Sequence, residues 1–293
     1  MPDLRVHVRH RHGGDETGGL YLRRRNGGDV ALAVKGVTVA PEPTPPPAPE
    51  RDHVAEFLAA TPFYVAHRLG GTEYPEFTRR GLDASLAAGF KALELSVRRC
   101  STGEFVLIHD WVTSRTVPGT DYQVWNTPWS VLAGLQQASG GFLRLTDVLD
   151  AVPSDVVLAV DHKVTSSKET GSTGDMESEA ALFDLLEARL GAENARRRVL
   201  VKHFVKGGVS ERGRARGYRT MCMMYPNEVT DADLTKWDVL GMEWNAPNDV
   251  WTTLRATGKP LIAHIITTTS QATHARERGA TGLMASVPSQ VHP

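Results

Sequence analysis

The chain has 293 residues, 41% of them hydrophobic and 23% charged, with a formal net charge of −1. That length buries one large core, or one core with a small appendage, and the near-neutral balance gives no basis for general affinity to nucleic acid or an anionic membrane. Two cysteines, Cys100 and Cys222, exclude a disulfide framework or a thiolate zinc site, and no stretch reaches the roughly 18 apolar residues of a membrane span.

The first residues, "MPDLRVHVRHRHGG", are basic but lack the apolar segment of a secretory leader. The protein is therefore expected in the cytoplasm, or outside it by a route that needs no signal peptide. The cluster "RRRNGG" from Arg23 reads as a solvated basic turn. "LRVHVRH" and "DVALAVKGVTVA" alternate or run apolar, and "RNGGD" between them carries hairpin-turn chemistry. Residues 1–40 thus predict a small β-rich appendage, too short for a core of its own, that docks on a partner or self-associates. "PEPTPPPAPERD" from Pro41 forbids helix and central strand and predicts a stiff polyproline II linker over 41–52.

From 53 to 293 the rhythm changes. Eight short apolar runs, "FYVAHR", "ALELSV", "VVLAVDHK", "RVLVKHF", "RTMCMMY", "VLGMEWN", "PLIAHIIT" and "TGLMAS", alternate with helical stretches such as "MESEAALFDLLEARLG", "TDADLTKW" and "SQATHARERG". Gly191 and Gly279 stand where the first and last of these should stop. A ninth run, "EFVLIHD", follows "ALELSVRRC" across a mere "STG". That gap is too short for a parallel crossover, so this run returns as an antiparallel hairpin. Eight βα units over this length predict a (β/α)8 TIM barrel with a hairpin and loop inserted after strand 2. The structural alternative is a doubly wound open sheet.

Polar residues gather where the strands of such a barrel end: His67-Arg68, Glu94, His109-Asp110, Asp161-His162-Lys163, Lys202-His203, Glu243, Asn245 and His264. Any one alone is more often a packed or solvated strand end. Their recurrence at the same end of successive strands points to chemistry at the C-terminal face.

The motifs "AHRLGG...YPEFT", "GFKALELSV", "FVLIHD", "VVLAVDHK" and "GATGLMASVP" resemble, in order and spacing, the glycerophosphodiester phosphodiesterase family, over Phe63 to Pro288. The resemblance implies His67 and His109 as general acid and base, a task that suits an imidazole near neutral pH. It implies Glu94 and Asp161 as ligands of a divalent cation, Mg2+ or Ca2+. Arg68 and Lys163 then face the phosphate, and Glu76 either orients Arg68, approaches the metal or stabilises a helix N-terminus. Lys202 and Glu243 are candidates for gripping phosphate or the alcohol by their strand-end positions, with His203, Asn245 and His264 behind them. Trp111, Trp125 and Trp129 either wall the pocket or pack beneath the loop.

Three departures from the family pattern stand out. The family's Glu-Leu-Asp is Glu94-Leu95-Ser96, the Glu of Glu-x-Lys is Asp161, and the Asn after Pro-Glu is Phe77. Weaker metal affinity is expected from the loss of one carboxylate. The function so implied is metal-assisted hydrolysis of a glycerophosphodiester-like bond, in a small molecule or in a glycerol-phosphate polymer such as teichoic acid. A barrel on a stiff spacer with a β anchor resembles a phage-tail component; an enzyme of lipid turnover is the competing setting. Two other readings remain open: a phosphate-polymer-binding module without turnover, and a related barrel that cleaves choline phospholipids through an internal hydroxyl.

Overall fold

Runs of apolar and β-branched residues bounded by turn residues become strands, and alternation decides which side chains face inward. The computed structural model describes residues 6–7, 20–24, 28–32, 51–138, 140–163, 173–205 and 209–293, and the chain divides into two units, Met1–Pro49 and Glu50–Pro293. In the first unit β1 (Val6–His7), β2 (Leu20–Arg24) and β3 (Gly28–Leu32) form an antiparallel sheet, with Arg24 opposite Gly28 and Leu20 opposite Leu32. The Asn26-Gly27 of the expected turn, and the proline-rich stretch up to residue 50, lie outside the described residues.

In the second unit all eight expected parallel strands form: β4 (Phe63–Ala66), β5 (Ala92–Arg99), β9 (Val157–His162), β10 (Val199–Phe204), β11 (Arg219–Met223), β12 (Val239–Glu243), β13 (Leu261–Ile266) and β14 (Gly282–Ala285). Each pairs with the next, and β14 pairs with β4 to close the barrel. The chain is a (β/α)8 TIM barrel. β6 (Phe105–Leu107) returns antiparallel on β5, as the short "STG" connection requires. A two-stranded ribbon, β7 (Gln136–Gln137) with β8 (Gly140–Gly141), sits in the loop that follows.

One face of each strand fills the barrel. Phe63, Val65, Ala92, Val157, Ala159, Leu200, Met221, Met223, Val239, Ile262 and Met284 pack into one buried cluster. Helix α1 (His53–Ala59) closes its N-terminal end with Val54; Asp52 caps that helix and pairs with Arg219 at 2.7 Å. Large and small residues alternate around this interior: a Cβ at Gly282 would lie 2.0 Å from the Phe63 ring. Residue 282 is glycine because the phenylalanine takes its space.

The other faces meet the helices: α2 (Arg79–Ala87), α4 (Leu145–Ala151), α5 (Thr173–Leu190), α6 (Ala192–Arg198), α8 (Asn248–Arg255) and α9 (Thr269–Glu277). The outer core joins Leu93, Leu95, Val160 and Leu240 of the strands to Leu82, Leu145, Leu186 and Trp251 of the helices. The short α3 (Trp129–Leu132) belongs to the inserted loop, and α7 (Val209–Ala215) links β10 to β11. Gly191 (φ 81°) and Gly279 (φ 102°) stand in left-handed backbone after α5 and α9, as stop signals should.

The stretch "TDADLTKW" differs from expectation. Within it only Leu234–Lys236 is helical, as a single 3-10 turn. Asp233 spends its carboxylate on the backbone N–H of Thr235 at 3.1 Å, an Asx turn that competes with helix propagation. Both cysteines are buried and free. Among the described residues no helix is long and apolar enough to cross a membrane.

Candidate active site

Alternation along the strands carries the interior upward from an apolar layer to a charged one. Glu94 and Ser96 on β5, Asp161 on β9, Lys202 on β10, Glu243 on β12 and His264 on β13 take the inward positions above Ala92, Ala159, Leu200, Gly241 and Ile262. Strand register fixes their neighbours: Ser96 lies beside Asp161, Asp161 beside Lys202, and Glu243 beside His264. His67 follows β4 directly and is buried, its Nδ1 2.6 Å from Oγ of Ser286 just beyond β14. His109 follows β6 on the inserted hairpin.

One chain of ion pairs runs through these residues. Arg68 adopts a left-handed backbone (φ 49°), which turns its N–H onto Glu94 Oε2 at 2.8 Å while its guanidinium reaches Glu76 Oε2 at 2.9 Å. Arg115 holds Glu76 from the other side at 2.6 Å and also grips Asp110. Asp110 in turn accepts from His109 Nδ1 at 2.8 Å. Glu94 Oε1 accepts from Ser96 Oγ at 3.0 Å and from Lys202 Nζ at 3.3 Å. Lys202 also donates to Asp161 Oδ2, where Lys163 joins it at 2.9 Å.

Of its three sequence readings, Glu76 takes the one that orients Arg68, not the one at a helix start. Helix α2 begins at Arg79 with Thr78 as its cap, bonded to the Gly81 N–H, so Pro75-Glu76 precedes the helix and does not start it. The buried carboxylate is committed to Arg68 and Arg115 instead of a helix dipole. Phe77, at the position where the family pattern has Asn, stands in left-handed backbone (φ 56°) and is 1% exposed. Asparagine tolerates that conformation more easily; here burial of the ring offsets its cost.

Burial and then the charges of Arg68 and Lys202 push His67 well below the usual imidazole range. Burial, with Lys163 and Arg68, lowers His109 to about 4, against the opposing hydrogen bond to Asp110. His264 falls to about 4 through burial and the nearby Lys202. Burial opposes ionisation of Asp161, but Lys163 and Lys202 hold its carboxyl well below the carboxylate range. Both catalytic candidates therefore rest neutral in a field of cations, a field suited to receiving an anion.

The divalent cation implied by the family pattern does not fit this donor set. Glu94 and Asp161 share the ammonium of Lys202, whose side chain is 6% exposed. Position 96 offers a hydroxyl that donates to Glu94. Hard cations complete their six or more oxygen ligands with water but need at least one or two carboxylates free to bind, and here Lys202 sits on both. Among the described residues no group of three or more His, Cys, Asp and Glu side chains is placed to hold a metal.

The remaining candidates scatter. His162 alternates outward and meets Ser178 Oγ of α5 at 2.9 Å. His203 faces away from the interior and donates Nδ1–H to the Phe204 carbonyl at 2.8 Å. Asn245 is exposed beyond β12, whereas Glu243 remains half-buried at the mouth. His264 stays buried with Nε2 unpartnered. Trp129 packs beneath the loop with Leu132 and Phe142. Trp111 is exposed two residues from His109, tilted against Trp125 at 6.3 Å and beside the Arg98 guanidinium, so it stands at the rim. Sequence reasoning missed Arg115 and Ser286. Ser286 follows the inward-facing Met284 by two residues, a signal that was available; Arg115 lies in an irregular loop with no periodicity to read.

Comparison with known proteins agrees with this architecture. The Glycerophosphoryl diester phosphodiesterase family matches residues 67–278. A Mycobacterium tuberculosis protein named probable glycerophosphodiester phosphodiesterase 1 is 32% identical over 88 residues, which cover 25% of this chain and 32% of that protein; the chain thus spans about a third of the length of the curated relative it matches. A Silicibacter pomeroyi structure, provisionally named a glycerophosphoryl diester phosphodiesterase, superimposes with a TM-score of 0.66 at 15% identity, covering 82% of this chain and 95% of its own. An Oleispira antarctica phosphodiesterase, solved with its product sn-glycerol-3-phosphate, gives 0.62 at 18% identity over 78% and 94%. At these identities the likeness concerns the fold.

Proposed function

Since the chain belongs to the glycerophosphoryl diester phosphodiesterase family, whose members are phosphoric diester hydrolases, we propose that it hydrolyses glycerophosphodiester bonds with His109 as general base and His67 as general acid. The observation that carries this reading is the contact of His109 Nδ1 with Asp110. A carboxylate only accepts, so it holds the proton on Nδ1 and leaves the Nε2 lone pair free.

The phosphate enters against Arg68 and Lys163. His109 Nε2 takes a proton from water as its oxygen bonds to phosphorus, and the bond from phosphorus to the leaving oxygen breaks. That oxygen receives its proton from His67, and Asp110 stabilises the imidazolium left on His109. If the neighbouring glycerol hydroxyl attacks in place of water, a cyclic phosphate forms and the same histidines admit water to open it. Each proton transfer typically contributes about 10²–10⁴-fold. The negative charge of the phosphate offsets the cations that depress His67 and so lets it carry a proton.

The Oleispira structure holds glycerol 3-phosphate, and a product of that kind suits a site bounded by two cations and the exposed Trp111. The Mg2+ or Ca2+ expected at Glu94 and Asp161 is not part of this reading, because Lys202 stands between those carboxylates. The separate unit Met1–Pro49 supports a setting in which the barrel is carried on an assembly such as a phage tail and meets glycerol-phosphate polymers of the teichoic type.

The test is hydrolysis of glycerophosphodiesters and of poly(glycerol phosphate), with a His67→Ala, His109→Ala double variant as the blank. Turnover on either substrate that disappears in the variant supports the reading, and the preferred substrate separates lipid turnover from wall polymers. Ser96, in place of a third carboxylate, favours one competing reading, a recognition module. Retained polymer binding without turnover would establish that alternative.

A further inference from the structure

Resting on that reading, we propose that Lys202 takes the place of the family's divalent cation, so that the centre works on a positive charge built into β10 and needs no metal ion.

Three observations support this. The register of β9 and β10 sets Lys202 directly beside Asp161, and its buried Nζ touches Asp161 Oδ2 and, at 3.3 Å, Glu94 Oε1. Three of the four carboxylate oxygens that would ligate a metal are otherwise engaged: Glu94 Oε1 also accepts from Ser96, Glu94 Oε2 from the Arg68 N–H, and Asp161 Oδ2 from Lys163. A divalent ion would have to displace an ammonium tethered to the same barrel. Finally, Lys202 and Lys163 both rest on Asp161 Oδ2. Two ammonium charges on one carboxylate bring the same formal charge as a single divalent ion.

The chemistry is electrostatic. Lysine is a compact point charge, and in a site walled from water such a charge acts strongly on negative charge developing on the phosphoryl oxygens. It cannot polarise a leaving oxygen by coordination, so protonation by His67 carries that task. Ser96 fits the same scheme. Its hydroxyl satisfies Glu94 without adding the negative charge that a third carboxylate would bring beside two lysines.

Two measurements decide the matter: calorimetric titration of the chelator-treated protein with MgCl2 and with CaCl2, and glycerophosphodiester hydrolysis in EDTA against added metal. Both are run on wild type, Lys202→Ala, Lys202→Arg and the Ser96→Asp, Lys202→Ala double variant. Wild type should bind neither ion and turn over equally in EDTA. Lys202→Ala should lose about 10²–10³-fold, the scale of one lost charge-stabilising donor, with Lys202→Arg losing less. The double variant should gain calorimetric Ca2+ or Mg2+ binding and metal-dependent turnover.

Metal binding by wild type together with loss of turnover in EDTA would overturn the inference and leave the phosphodiesterase reading standing. Absence of wild-type turnover under every condition would overturn the functional reading instead. The titration then still decides the site: binding that appears only when Lys202 is removed upholds the replacement, and binding by wild type overturns it. Should Lys202→Ala fail to fold, the wild-type titration and the EDTA assay remain decisive.

Discussion

His109 and Asp110, neighbours in the chain, are also partners in space: Nδ1 donates to Oδ1 at 2.8 Å while Arg115 holds the carboxylate from its far side. The imidazole is thereby fixed in one tautomer and one orientation. Replacing Asp110 by Asn should lower kcat far more than it raises KM, because the ring survives but its lone pair is no longer held toward the substrate. In wild type, kcat, which reports the substrate complex, should fall on the acid side as His109 takes up its proton, at a pH above its free value of about 4 because the bound anion offsets the surrounding cations. In Asp110→Asn that limb should move further down, since a bond that favours the charged form is lost. An unchanged profile would remove Asp110 from the mechanism.

Glu76 clamps two arginines and is 7% exposed. Glu76→Gln leaves Arg68 and Arg115 without their shared anion; with those arginines 19% and 48% exposed, the cost should be about 1–2 kcal/mol, between an exposed and a buried pair. The variant should unfold at lower denaturant. With Arg68 less well held, its KM should rise about tenfold, equivalent to ~1.4 kcal/mol of lost binding. A stability loss with unchanged KM would make Glu76 purely structural.

The low proton affinity of His264 predicts a pH-dependent stability. Its folded-state value is about 4 and its ordinary value 6.5, so between those limits the unfolded chain binds more protons. Stability is fully present above pH 6.5 and declines as the pH falls toward 4. At pH 5 this one residue should account for about 2 kcal/mol of the loss. Denaturant titrations at pH 7.5 and 5 should show that difference shrinking in His264→Gln.

Binding of a phosphate monoester should raise the histidines. Burial depresses both His67 and His109, and cations lower them further, Arg68 and Lys202 at His67 and Lys163 and Arg68 at His109; a bound anion offsets those charges. Nitrogen-detected titrations in glycerol 3-phosphate should move both imidazoles upward. Static values would mean that the phosphate does not reach these cations.

Gly282→Ala tests the interior packing. The new methyl would stand 2.0 Å from the Phe63 ring, and overpacking of this kind costs about 1–3 kcal/mol or more. Thermal unfolding should fall accordingly, and Phe63→Leu should restore part of it.

The barrel was legible because each strand is a short apolar run whose alternation and punctuation are local properties. Val157 to His162 could hardly be read otherwise, and "STG" left β6 no choice but to turn back. His67 and His109 stood out through motif order. The charged cluster could be named in part but not arranged: that Lys202 lands between Glu94 and Asp161 depends on the register of three strands, which no single stretch encodes. Among the three readings of Glu76 the sequence could not choose, because its second partner, Arg115, is 39 positions away in an aperiodic loop. "TDADLTKW" failed as a helix because a local Asp-to-backbone bond defeated a weak propensity.

The hydrogen bond between His67 and Ser286 joins residues 219 positions apart, one just after the first strand of the barrel and the other just after the last. On the ribosome β14 emerges after every other strand. The histidine assigned to protonate the leaving group thus gains its fixed orientation only when synthesis has reached Ser286 and the seam has shut. A chain that stops short of β14 lacks this contact together with the β14–β4 seam, so on the role proposed for His67 it should not hydrolyse the substrate.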